Sequence, residues 1–148
     1  MGMISLLFGC MTSMPGRSHQ GPLDPLTGPE VVLRDNLKRH IVMLATTIGE
    51  RNMRHYAELD RSADYIAGEF KSLGYTIRTN AYPLEGKSPR NLEAELPGTD
   101  PTAGVIVVGG HYDSVAGTPG ANDNASGVAA TLELARLFKA GTVALRLI

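Results

Sequence analysis

Three side chains in the second half of the chain have the types and spacing to hold a divalent metal: His111, Asp113 and Asp123. Imidazole nitrogen and carboxylate oxygen are both good zinc donors. Asp113 stands two residues after His111, where its carboxylate could accept the other ring N–H, fix the tautomer and raise the ring's basicity. Asp123 lies twelve positions beyond His111, a span of roughly 40 Å if fully extended. The intervening Gly117-Thr118-Pro119-Gly120 is a turn sequence that doubles the chain back and returns Asp123 toward His111. Gly109-Gly110 carries no side chains and lets a bulky ligand approach. Taken singly, each residue has an ordinary structural role. Asp123 or Asn124 could cap the following helix, Asp113 could close an Asx turn, and His111 could be a loop histidine.

Several elements must position these side chains. Val105 to Val108 is an uninterrupted apolar run, the pattern of a strand buried on both faces, and a helix from about Ser126 to Ala140 follows the loop. Ligands of open α/β sheets collect at the carboxyl ends of strands, where this loop would sit. Upstream, Thr27 and Glu30 form a capping-box pattern with Pro29 at an early helical position. Leu33, Leu37, Ile41, Leu44 and Ile48 then share one helical face that Gly49 ends. Lys38, Arg39 and His40 fall between those positions, so they are expected to face water, His40 as a surface residue. A second helix is expected from Asp60 to Leu73, stopped by Gly74. Glu50, Arg51 and Asn52 lie in the connection between the helices, where charge serves solvation or local hydrogen bonds. Tyr75 to Tyr82 and Asn91 to Leu96 alternate as an antiparallel strand pair, and Val143 to Ile148 reads as a last strand. The sum is an α/β domain with a mixed β-sheet and flanking helices.

At 148 residues the chain is one domain long, and a net charge of -1 gives no reason to expect a nucleic-acid partner. A single cysteine excludes an intrachain disulfide. The apolar start, Met1 to Gly9, is too short to cross a bilayer. With Cys10 behind it, Leu7-Phe8-Gly9-Cys10 resembles the end of a bacterial lipoprotein signal. Thr12 to Pro25 holds three prolines and two glycines and reads as a tether. The organisation expected is therefore a signal or anchor remnant and tether over 1–26 and a domain over 27–148, with membrane attachment through the amino terminus and an extracytoplasmic, periplasmic or membrane-anchored location.

The stretches GGHYDSV, PGANDNASGVAA and LELARL, between Gly109 and Leu137, resemble the zinc-dependent exopeptidase family of the two-zinc bacterial aminopeptidases and glutamate carboxypeptidase II. A looser likeness extends over the helical region from Thr27, including Ile48-Gly49-Glu50-Arg51-Asn52. The resemblance implies the zinc-exopeptidase (phosphorylase/hydrolase-like) fold. It gives His111 the role of a zinc ligand and Asp123 that of the carboxylate bridging two zincs. Asp113 becomes the catalytic-site carboxylate that holds His111, and a cis peptide is implied at Asp123-Asn124. The activity implied is metal-assisted hydrolysis of a peptide or amino-acid conjugate, with two zinc ions polarising the carbonyl and lowering the pKa of a water.

In that family an adjacent Glu-Glu pair, supplying the general base and a further ligand, follows the strand that here is Val143 to Ile148. The sequence ends at Ile148. This chain is accordingly expected to be the amino-terminal part of a longer reading frame, to bind zinc weakly and not to hydrolyse peptides on its own. Two other classes stand beside this reading. One is a non-catalytic ectodomain of the transferrin-receptor kind, which has no need to keep His111 and Asp123. The other is a glutaminyl-cyclase-like acyltransferase with one zinc, whose wording around Asp123 is less like N-D-N-A-S-G.

Overall fold

Glu30 folds back on Thr27 to start the first helix: its carboxylate accepts the Thr27 backbone N–H at 2.7 Å and the Thr27 hydroxyl at 2.6 Å. These bonds, the hydroxyl's first, pull the Glu30 carboxyl below its ordinary pKa. The computed structural model describes residues 16–100, 102–141 and 146–147. The apolar start, Cys10, and residues 143–145 and 148 of the expected last strand lie outside the described residues. Helix α1 spans Gly28–Val42 and continues into a π-helical turn over Met43–Ile48. Gly49, at φ 89°, ends it as its sequence position predicts. The expected stripe sinks progressively along the helix, from half-buried Leu33, Leu37 and Ile41 to buried Leu44 and Ile48.

Helix α2 runs Tyr56–Ser72, starting four residues before the expected Asp60, and closes on Gly74 at φ 80°. Strands β1 (Ile77–Ala81) and β2 (Arg90–Ala94) pair antiparallel, with Thr79 opposite Leu92. Strand β3 (Val105–Ile106) pairs parallel with β4 (Arg146–Leu147), and helix α3 spans Ser126–Lys139 between them. Both ladder types of the expected mixed sheet are present, as two two-stranded ladders among the described residues. No described helix is long and apolar enough to cross a membrane.

The core lies where the end of α1, α2 and α3 converge. Leu44, Ala45, Ile48, Ile66, Ala125, Val128 and Leu132 are buried together, with Tyr65, Phe70, Leu92 and Tyr112 packed against them. Removing that apolar area from water is the main favourable term for folding. Tyr75 anchors the hairpin to this centre, donating its hydroxyl to the Ala135 carbonyl at 2.9 Å and meeting Phe70 edge to face.

Three expectations need correction. The run Val105 to Val108 is not buried on both faces. All four residues are exposed, Val107 to 74%, because the only described element that packs on β3 is its ladder partner β4. His40 does not face water. It is 2% exposed, because α3 packs against α1 and brings Glu133 to within 3.8 Å of its ring. The third is Arg51: of the two roles expected for this turn, solvation and local hydrogen bonds, only the second holds, because the side chain is wholly buried on carbonyls.

Candidate metal centre

His111 and Asp123 meet. The Nε2 atom of His111 lies 2.9 Å from an Asp123 carboxylate oxygen, and Nδ1 lies 3.0 Å from Asp113. All three side chains are more than half exposed, so they form an open rim and not a buried pair.

Close packing of the loop against α3 makes this meeting possible. A Cβ on Gly110 would come within 3.2 to 3.4 Å of Asn124 and the start of α3. A Cβ on Gly127 would overlap the Asn124 side chain at 2.2 Å. Asn124, not Asp123, serves the helix start, its side-chain oxygen accepting the Gly127 N–H at 3.0 Å. That division leaves the Asp123 carboxylate facing His111. The peptide bond between Asp123 and Asn124 is cis, and Asp123 itself has non-helical angles (φ -116°, ψ 91°). The reversal ahead of it turns on Gly117 and Gly120, both at positive φ.

The donor set suits a cation. Each ring nitrogen of His111 faces a carboxylate, and the tautomer with Nδ1–H donating to Asp113 leaves the Nε2 lone pair toward Asp123. In that tautomer Nε2 and the Asp123 oxygen are two electron-pair donors 2.9 Å apart, an arrangement that can share a cation. Two donors of a tetrahedral zinc, each about 2.0–2.1 Å from the ion, are about 3.3 Å apart, so admitting one asks only a few tenths of an ångström of movement. Among the described residues no group of three or more His, Cys, Asp or Glu side chains could close round an ion.

Beneath the rim, Tyr112 points inward and donates its hydroxyl to the Arg90 carbonyl of β2. Burial raises its phenol pKa. A cavity of about 540 Å³, walled by Leu59, Ile66, Phe70 and Leu132, reaches His111 and Asp113 from the inside. Reading the sequence found the three rim residues but missed Arg51, which holds the loop from below. Nothing in periodicity marks it; the available signal was its place in the Ile48-Gly49-Glu50-Arg51-Asn52 segment, the outlying part of the resemblance.

Residues 91–147 match the profile of Peptidase family M28. The chain is 37% identical over 112 residues to the uncharacterized protein YfbL of Escherichia coli K12, covering 70% of this chain and 34% of that one. Over another 112-residue alignment it is 38% identical to leupeptin-inactivating enzyme 1 of Streptomyces exfoliatus, covering 74% and 25%. A probable zinc metalloprotease of Pyricularia oryzae is 50% identical over 56 residues, 32% of this chain and 11% of that one. Among solved structures, glutaminyl cyclase of Porphyromonas gingivalis superposes with a TM-score of 0.61 at 19% identity, over 78% of this chain and 41% of that one. The fold is thus one shared with solved structures of a glutaminyl cyclase and a leucine aminopeptidase precursor. The match to Peptidase family M28 is confined to residues 91–147, fewer than half of the 148. The chain spans about a third or less of the length of the curated relatives it matches.

Proposed function

We propose that the protein acts as a metal-dependent exopeptidase, with His111 and Asp123 as metal ligands and Asp113 as the carboxylate that holds His111. The observation that carries this reading is the 2.9 Å approach of the His111 Nε2 atom to Asp123, with Nδ1 already engaged by Asp113. Zinc is the metal this donor set favours, and a zinc metalloprotease stands among the relatives. When bound, zinc supplies a Lewis acid for the scissile carbonyl and for the attacking water. The chain's own residues orient and present: Asp113 fixes the imidazole tautomer, His111 offers one lone pair, and Asp123 offers a carboxylate on the same open rim. Asp123 has two oxygens, which suits it to bridge a pair of ions, and an aminopeptidase with two zincs is the form proposed for the whole protein. The cyclase alternative shares the fold, but the M28 segment and the names of the relatives favour peptide hydrolysis.

One histidine and one aspartate are fewer than the three protein ligands of a catalytic zinc. The 148-residue chain therefore binds zinc weakly and lacks peptidase turnover. Titration calorimetry checks this: zinc binding weaker than about 1 μM, abolished in His111→Ala and in Asp123→Ala, is the expected result. Binding that survives both substitutions removes the site. The domain boundary near residue 27 and an extracytoplasmic location, with Cys10 as a lipid anchor, belong to the same proposal. Cys10→Ala should shift the protein from the membrane fraction to the soluble one.

A further inference from the structure

We infer that Arg51 is a positioning residue that sets the separation of His111 and Asp123; the inference rests on the reading of that pair as a metal centre. Its guanidinium is fully buried and reaches both arms of the loop. Nε donates to the Tyr112 carbonyl, the peptide between His111 and Asp113. Nη1 donates to the Pro119 carbonyl and Nη2 to that of Gly120 at 3.0 Å, where the chain reverses toward Asp123. Nη1 also donates to the carbonyls of Leu44, at 3.2 Å, and Gly49, at 3.1 Å, which ties the loop to the end of α1. One planar group therefore bridges the arm that carries His111, the arm that carries Asp123, and the core.

The Arg51 backbone closes the same frame. Its N–H donates to the Ser114 hydroxyl at 3.1 Å, and its carbonyl accepts the Ser114 N–H at 2.8 Å. The Ser114 hydroxyl in turn donates to the Thr118 carbonyl at 3.0 Å. Among the described ion pairs none involves Arg51. Burial pushes its pKa down, and the nearby Asp113 charge opposes that push. A guanidinium taken out of water without a contacting carboxylate is a poor way to gain stability. It is a good way to hold several carbonyls in a fixed fork, which the single nitrogen of lysine cannot do.

The test compares the wild-type chain with Arg51→Met and Arg51→Lys in two measurements. The first is amide hydrogen exchange without metal, at Ser114 and Ala125 in the loop and at Ala63 and Ile66 in α2. The second is zinc affinity, read by competition with a chromophoric chelator. We expect loop exchange to quicken by about tenfold or more in both variants while the α2 amides change by less than about twofold. Zinc affinity should fall by about tenfold in parallel, with no rescue by lysine. Unchanged loop protection, a uniform rise in exchange through the whole chain, or wild-type zinc affinity in a loosened loop would each overturn the inference. Should the wild-type chain bind no zinc, the metal reading fails and the exchange data alone decide whether Arg51 sets the loop. Should Arg51→Met not fold, Ser114→Ala carries the same comparison, with the same local pattern expected at smaller amplitude.

Discussion

Two buried polar centres hold this molecule together, and they are built in opposite ways. Arg51 is satisfied by backbone carbonyls contributed from three stretches of chain. His40 is satisfied by side chains from its own helix and from its neighbours. Its Nδ1 meets the Tyr65 hydroxyl at 2.7 Å, Arg39 approaches Nε2 at 3.3 Å, and Glu133 lies beyond. Arg39 also bridges to Glu69, while Glu133 accepts from Asn36 and Arg136. Carbonyl dipoles do not titrate, so the first centre fixes loop shape at any ordinary pH. The second is made of ionisable groups, so the docking of α1, α2 and α3 answers to pH.

Substitutions separate the two centres by size of effect. Gly120→Ala would place a Cβ 2.5 Å from the Asp123 carbonyl and 2.7 Å from the Ser114 Cβ, at a φ of 58° that L-residues rarely adopt. Left-handed strain and overpacking together should cost about 3 kcal/mol. Denaturant unfolding measures this, and a loss under about 1 kcal/mol would mean that the loop is looser than its contacts indicate.

Next in size is the pH response of the His40 centre. Burial first, then Arg39, lowers the His40 pKa below its ordinary 6.5. The unfolded chain then binds a proton that the folded chain refuses, so stability is complete above pH 6.5 and declines as pH falls toward the folded value. For Glu133, burial raises the carboxyl pKa, but Arg136 and Asn36 outweigh it and the net shift is downward. Hydrogen bonds from Arg39 lower Glu69 in the same way. Those two contribute stability above their ordinary 4.5 that is lost only at lower pH. In His40→Gln the decline between pH 6.5 and 4.5 should flatten while the acid limb remains. An unaltered upper slope would place the titration elsewhere.

The smallest effect belongs to the exposed cap outside both centres. Thr27→Ala should cost about 1 kcal/mol by thermal unfolding, without altering the His40 response or the loop.

What the sequence disclosed follows from what periodicity and turn chemistry encode. The capping box, the stops at Gly49 and Gly74, the antiparallel pair and the return of Asp123 to His111 are local signals, and each corresponds to a described element or contact. The misses are long-range. His40 sits on the expected polar side of α1, yet packing against α3 buries it, and one helix's own pattern does not reveal its neighbours. The burial of Arg51 is not legible in a turn expected to use charge for solvation or local hydrogen bonds, because its acceptors include carbonyls as far away as Gly120, which leave no trace in side-chain spacing. The Val105 to Val108 run has the composition of a core strand, but its exposure depends on what packs over it.

The inward aim of Arg51 also governs how the rim meets ions in solution. The guanidinium under the loop is committed beneath the surface, while Asp113 and Asp123 stand mostly in solvent on either side of an imidazole. For the proposed metal centre, two exposed carboxylates flanking one imidazole would favour the approach of divalent cations over anions. Capture should consequently slow as ionic strength rises and the Debye length shrinks to about 10 Å or less.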